Sequence, residues 1–451
     1  MPSNLALLLG LSFIAGLLIY DSRYNSSASG AIWLPIIWLC IISSRFVSQW
    51  LDPSNMWLSA EEYMEGSPLD RMIFLMLMLA GLIILIRRSV SWSYIFSHNL
   101  ALVLFISFEL LSIVWSDFPF ITFKRWIKAF GDYIMIMVVL TEDDPEDAIK
   151  TLIRRMAYIL IPLSVLLIKY FPALSRSFDS WTGMGYYQGV GTSKNMLGNL
   201  CLISGYYFIW NILSDIKKKR YRLYPLQFFI ELFLLGLTLY TLKMADSATS
   251  LGTLIISTIL LILMGMPLIR RYSKYIGVFV IISIVLFIMS EVMFNSVKLI
   301  INSLGRDMTF TTRTDIWAEV LKVPINPIIG TGFESFWLGP RLERIWAVFW
   351  YHPNQSHNGY LEIYLTLGVI GLFLLLMVIL NAFKHTRSEL LDNFDFGRFR
   401  MVYIVILLAY NVTEAAIKGL STVWFVFLVL TIVVPKYKSD GNYFLETSGN
   451  T

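Results

Sequence analysis

A chain of 451 residues that is 57% hydrophobic and only 15% charged cannot be an ordinary soluble protein, in which about a quarter of residues carry charge. Lipid offers bare backbone no hydrogen bonds, so spans must be helices or a closed barrel; the apolar runs here have helix length, not the roughly ten-residue alternation of a barrel. A net charge of +5 and the run Lys217-Lys218-Lys219-Arg220 would suit nucleic acid, but basic loops between spans are what membrane orientation requires, and no nucleic-acid partner is expected. The composition specifies an all-α, polytopic integral membrane bundle, read as one membrane domain over residues 1–451.

The first apolar stretch, about 4–20, has no basic leader and no small-residue cleavage site, so it is expected to stay as a span. Further spans are expected at about 31–47, 70–86, 99–115, 125–140, 153–170 and 194–213. The second half continues at about 226–242, 248–266, 275–291, 358–381, 400–416 and 419–434. That gives about thirteen transmembrane helices, with twelve also open. Cys40 and Cys201 sit in apolar runs, so neither a disulfide nor a metal site is expected from them.

Arg87-Arg88, Arg154-Arg155, the 217–220 run, Arg270-Arg271-Lys274 and the stretch Lys384 to Arg400 fall on alternate loops, which can share the cytoplasmic side. The opposite loops, including the acidic 48–69 and the long interval 292–357, then face outward. Counting back from a cytoplasmic C-terminus places the N-terminus outside for thirteen spans. Twelve spans with the N-terminus inside stay open, because Arg23 is the only basic residue of the first loop.

The interval 292–357 is the longest polar stretch and the expected reactive face, a large extracytoplasmic loop. Within it, Thr312-Arg313-Thr314-Asp315 fits the pattern in which a hydroxyl and an acid three residues later cap a helix. A short helix over 313–322 is expected, stopped by Pro324 and Pro327 and amphipathic through Ile316, Val320 and Val323, lying against the membrane or the bundle. The segment IIGTGFESFW (328–337), with two glycines and three aromatics, reads as a turn carrying an interfacial plug.

Arg306 and Arg313 are candidates for binding a phosphate or diphosphate, which two guanidinium groups hold bidentately without a metal. The plainer reading is a surface salt bridge to Asp307 or Asp315. His357 stands just before an Asn-Gly pair and the next span, with Glu362 about one helical turn deeper. A histidine, with an ordinary pKa of about 6.5, can take a proton from a hydroxyl at neutral pH; a helix cap or a solvated side chain is the alternative. His352, held extended by Pro353, is less favoured. Glu109, Asp132, Glu231 and Glu414 fall within expected spans, where they serve either as interhelical partners of cations such as Lys128 and Lys418 or as an ion path.

In order along the chain, EGSPLDR (65–71), SIVWSDFPFITFKR (112–125), QGVGTSKNMLGNL (188–200), KMADSATSLGTL (243–254), GRDMTFTTRTDIW (305–317), IIGTGFESFW and SHNGYLEIYLTLGVIGL resemble the bacterial O-antigen ligase and polysaccharide polymerase family, particularly its exopolysaccharide-polymerase branch. The likeness implies a glycosyltransferase of the bacterial cytoplasmic (inner) membrane that needs no metal or other cofactor. Its donor would be a glycan linked to undecaprenyl diphosphate, and its acceptor a glycan or lipid-linked molecule, with other polysaccharide export proteins as expected partners. It further implies that Arg313 and Arg306 hold the diphosphate and that His357 helps activate the acceptor hydroxyl. Lys194 in TSKN is the candidate for a second cation near the donor, ahead of Lys243.

The residues agree with that chemistry. A diphosphate leaves readily if its growing charge is stabilised by Mg2+ or by fixed Arg and Lys. No outward Asp-x-Asp pattern stands out: Glu61-Glu62 lie in a poorly patterned loop, and Asp143-Asp144 read as helix-entry acids on the cytoplasmic side. The cation must then come from protein. Attack from the face opposite the leaving diphosphate inverts the anomeric carbon. The rival expectation is a transporter or flippase of a lipid-linked or anionic substrate, but its polar site would sit near the midplane, commonly with paired broken helices.

Overall fold

The computed structural model describes residues 1–24, 27–52, 66–178, 183, 185–277 and 313–435. Arg306, Asp307, Thr312 and most of the span expected at 275–291 therefore lie outside the described residues. The rest is a helical bundle: α1 (Ser3–Tyr24), α2 (Trp33–Ile42), α3 (Pro68–Arg87), α4 (Leu100–Leu111), α5 (Pro119–Leu140), α6 (Pro145–Tyr170) and α7 (Lys194–Lys217). It continues through α8 (Pro225–Ala245), α9 (Ala248–Gly265), α10 (Arg313–Val320), α11 (Gly339–Val348), α12 (Gly359–Asp392), α13 (Phe394–Tyr410) and α14 (Thr422–Thr431). One small antiparallel pair, Arg176–Phe178 with Gly185–Tyr187, interrupts the helices.

Helix starts follow local chemistry. Ser67 accepts a hydrogen bond from Asp70 N ahead of Pro68, Asp144 from Asp147 N ahead of Pro145, and Ser193 from Met196 N; each satisfies an otherwise orphaned N–H. Among the described residues, seven helices are individually long and apolar enough to cross a membrane, or eight if Trp92–His98 and Leu100–Trp115, bent by 90°, make one broken span. The protein is an all-α polytopic membrane protein. α6 forms the centre of the bundle and is buried along most of its apolar length, whereas α1 is largely exposed and presents Leu8, Leu11 and Ile19 outward.

Several helices differ in extent from the apolar runs, because caps and prolines override hydropathy. α2 stops at Ile42, α5 begins at Pro119 and takes in Lys124, Arg125 and Lys128, and α13 ends at Tyr410, which leaves Glu414 in the connection to α14. α6 begins at Pro145, so Arg154 and Arg155 are not in a loop. Both are buried inside α6 and share the carboxylate of Asp21 on α1, at 2.5 and 2.6 Å.

The ends of the helices sort cleanly. At one end Arg88 pairs with Glu142, Lys217 and Lys218 with Asp395, Asn393 donates to Glu146, and Arg387 reaches Lys274 O. At the other end Ser3 meets Tyr170 O, and the 313–357 segment docks on α12 and on the α4–α5 connection. The basic loops thus share one end, and the N-terminus lies at the opposite one.

The buried acids act as ties. Asp132 accepts from Trp38 Nε1 at 2.7 Å and Leu420 N at 2.8 Å, and Glu231 from Asn211 Nδ2 at 2.6 Å and Gln227 Nε2 at 3.3 Å. Neutral donors occupy both carboxylates, in place of the Lys128 or Lys418 partners expected from the sequence.

α10 ends at Val320, slightly short of the expected stop, and its apolar face does not lie on lipid. Ile316 and Val320 pack with Phe336, Leu342, Ile345 and Leu365 into a separate small core. The IIGTGFESFW segment is the hinge of this docking. α12 breaks at Gly368 (φ 64°), and Val369 N and Ile370 N bond to Pro327 O and Ile328 O, while Thr331 N and Gly332 N bond to Leu365 O and Thr366 O. The inserted backbone satisfies what the break exposes. A Cβ at Gly368 would stand 2.3 Å from Ile328 O. Gly368→Ala is expected to cost about 2–4 kcal/mol from strain and overpacking together, read as a lower unfolding midpoint in detergent. A midpoint like that of the wild type would show that the inserted segment withdraws without penalty.

Candidate active site

The start of α12 fixes His357. Asn358 caps the helix, its Oδ1 accepting from Tyr360 N and Leu361 N at 3.0 Å each. The preceding Ser356 is fully buried, its N–H donating to Glu362 and its carbonyl accepting from Trp317 Nε1 at 2.7 Å. Between them His357 is held at φ 53°, in the left-handed region that a residue with a Cβ rarely adopts. Such strain persists only where neighbours over-determine it, and it concentrates at functional sites.

The connection from α13 to α14 closes on this turn. Asn411 Oδ1 accepts from Ala416 N and Ile417 N at 2.8 and 3.0 Å, folding residues 411–417 into a tight bend. Gly359 N bonds to Asn411 O and Glu414 O, an approach so close that a Cβ on Gly359 would stand 2.1 Å from Asn411 Oδ1. This contact brings Glu414 against His357.

Glu414 is the hub. Its Oε1 accepts from Arg313 Nη2 at 2.6 Å and Asn195 Nδ2 at 2.7 Å, and its Oε2 lies 3.3 Å from His357 Nδ1. The Glu414 side chain is 7% exposed, against 14% for Arg313 and 27% for His357. Burial pushes the carboxyl up, but the hydrogen bond from His357 and the charge of Arg313 outweigh it and hold it below the usual carboxylate range. Gln355 Nε2 is 3.5 Å from the same imidazole nitrogen, at the edge of hydrogen bonding, and its Oε1 accepts from Lys418 Nζ. The shorter contact to the carboxylate assigns the proton to Nδ1 and leaves Nε2 as an acceptor.

Of the candidates read from the sequence, Arg313 and His357 meet on one carboxylate. Arg313 does form an ion pair, though its described partner is buried Glu414 and not Asp315. Glu362, expected beside His357, instead accepts from Trp337 Nε1 at 3.0 Å and from Ser356, and it props the turn. Lys194 opens α7 next to Asn195, its Nζ 5.6 Å from the Tyr186 ring. Lys243 lies near the end of α8. His352 stacks on Trp346 at 4.6 Å and is part of the loop's own packing. Sequence reasoning missed Asn195 and Gln355, and took Glu414 for an acid inside a span. Among the described residues no cluster of three His, Cys, Asp or Glu side chains is arranged to hold a metal.

A membrane helical bundle with a long inter-span segment folded back onto one end, around a buried carboxylate shared by an arginine and a histidine, defines the class. Residues 232–376 match the sequence model of the family described as O-antigen ligase. The matched stretch includes Arg313 and His357; Asn195 and Glu414 lie outside it. Exopolysaccharide production protein ExoQ of Rhizobium meliloti (strain 1021) is 26% identical over 304 residues, covering 64% of this chain and 65% of that protein. "Putative polysaccharide ligase RT0347" of Rickettsia typhi is 28% identical over 211 residues, 44% of this chain and 50% of the relative. The chain thus spans about two thirds and half of the lengths of the curated relatives it matches. In sequence the chain is similar to O-antigen ligases and to an exopolysaccharide production protein.

Proposed function

We propose that this protein is a glycosyltransferase that polymerises or ligates undecaprenyl-diphosphate-linked oligosaccharides on the outer face of the bacterial cytoplasmic membrane. The observation that carries the reading is the Glu414 hub, which holds a cation for a leaving diphosphate and an oriented base for an incoming hydroxyl within one hydrogen-bond shell. Arg313 spends one N–H on Glu414 and would use others to bond diphosphate oxygens, with Lys194, the residue before Asn195, proposed as a second cation. Arg306 belongs to the same proposal. The acceptor oxygen attacks the anomeric carbon as the bond to the diphosphate oxygen breaks. The electron pair leaves with the lipid diphosphate, the hydroxyl proton passes to His357 Nε2, and the anomeric configuration inverts. Fixed protein cations supply the charge stabilisation that Mg2+ gives in other diphosphate chemistry. A transporter is less favoured, because neutral donors already occupy Asp132 and Glu231 in the bundle.

The test is turnover of a synthetic lipid-diphosphate-linked oligosaccharide by the purified full chain, following released lipid diphosphate and glycan length. Arg313→Ala is expected to lower release by about a hundredfold or more while the protein stays folded. Wild-type turnover in that variant would remove the assigned role, and inhibition by EDTA reversed with Mg2+ would overturn the metal-free chemistry. Longer lipid-linked glycans mark a polymerase; transfer only to an added acceptor marks a ligase.

A further inference from the structure

The stretches EGSPLDR and SIVWSDFPFITFKR have no part in the Glu414 hub, yet the fold brings both to one place. A cavity of about 610 Å³ lies between the starts of α3, α5 and α12 and the 415–420 segment. Its lining includes five cations: Arg71, Lys124, Arg125, Lys128 and Lys418. The three carboxylates on its walls are fewer, and two of them, those of Asp70 and Glu362, accept from neutral donors. Asp70 accepts from Ser48 N at 3.0 Å, Glu362 from Trp337 and Ser356, and Glu334 turns its backbone oxygen to Arg125 Nη1 at 2.7 Å. The cavity is left net positive.

Its other wall is apolar. Phe74, Leu75 and Met78 line it on successive turns of α3. Leu75 is 52% exposed, on the face where Met72, Met76, Leu79 and Ile83 also point away from the bundle. The cavity therefore opens onto the surface that α3 presents to lipid. A cationic pocket with a lateral apolar opening matches an anionic head on a long hydrocarbon chain.

Neither Arg313 nor Lys194 lines this cavity, but Gln355 and Lys418 do, and Gln355 reaches His357. The cations near the hub and those of the cavity thus stand on two sides of the same turn. A transfer between two membrane-anchored, phosphate-bearing substrates requires two such sites. We propose that this cavity holds the phosphate or diphosphate head of the acceptor lipid and so presents a lipid-linked glycan, not a soluble one, to His357. The proposal rests on the transferase reading for its catalytic consequence but not for the binding itself.

Binding is measured on the full chain in nanodiscs of neutral lipid, with a polyisoprenyl diphosphate and inorganic diphosphate as separate probes. The wild type is expected to bind two equivalents of the lipid probe. In Arg71→Gln/Lys124→Gln the affinity of one equivalent falls roughly tenfold or more, from loss of charge-assisted bonds. Arg313→Ala weakens the other equivalent. With inorganic diphosphate the cavity equivalent is expected to bind much more weakly; equal affinity for both probes would overturn a lipid ligand. A single equivalent in the wild type, or an unchanged second equivalent in the double variant, overturns the site. Lys124→Arg alone, which keeps the charge, is expected to bind both equivalents; loss of the cavity equivalent in it would mean that packing and not charge holds the ligand, and would overturn the site. Two equivalents with no sugar transfer would support the cavity and defeat the transferase reading.

Discussion

Glu414→Ala is expected to reduce turnover by about a thousandfold, near 4 kcal/mol of transition-state stabilisation, because one carboxylate positions both the cation and the base. Loss of Arg313→Ala or His357→Ala alone should approach the same floor, since groups that act as a unit are not additive. Glu414→Gln separates the contributions: it retains an oxygen for Nδ1 of His357 but loses the charge that holds Arg313. The comparison is kcat and KM for a lipid-diphosphate donor in the four variants, each shown to be folded. Turnover within a few-fold of the wild type in Glu414→Ala would mean that the hub is scaffold only. The pH dependence has a definite sign. The carboxyl is held below its ordinary value, so the hub's contribution to folding stability is fully present above the unfolded carboxylate pKa of about 4.3 and is lost as pH falls through the lower folded value.

The second large effect is on stability. Asp21 is fully buried and holds two guanidinium groups that are each 4% exposed. Asp21→Ala strands both and is expected to destabilise by about 3–5 kcal/mol, seen as a large drop in thermal midpoint in detergent. The triple change Asp21→Ala/Arg154→Met/Arg155→Met should recover much of that loss, because apolar side chains of similar volume remove the desolvation penalty along with the charges. If the single variant melts like the wild type, water reaches the pair and the burial seen at α1 and α6 is not maintained in solution.

The helical membrane class was legible because hydropathy, length and loop charge all report on it directly. Helix starts were legible where a capping residue announced them, as at Ser193 and Asn358. Helix ends were not: the expected spans ran on past Ile42 and Tyr410 through short polar stretches, while the backbone turns for reasons that reside in distant contacts. Arg313 and His357 could be singled out because charged groups in a polar interval invite it. Their shared partner could not, since Glu414 lies 57 residues beyond His357 at the end of an apolar run and reaches it only through the Gly359 and Asn411 contact. The cations of the cavity were hidden for the same reason: Arg71, Lys124 and Lys418 belong to three elements that only tertiary packing brings together.

The break in α12 sets the depth of the site. From Gly368 to Lys384, where charge resumes, a helix rises about 24 Å at 1.5 Å per residue, less than the roughly 30 Å of a hydrocarbon core. With Lys384 at one membrane surface, the 327–332 backbone would lie below the other, where irregular chain is tolerated only when enclosed by protein. The floor of the site is then protein and lipid, not open water. Water is the rival nucleophile for any activated sugar, and a sunken floor limits its access to the anomeric carbon. On this view Gly368, far from any proton transfer, helps decide whether a sugar is passed on or wasted to hydrolysis.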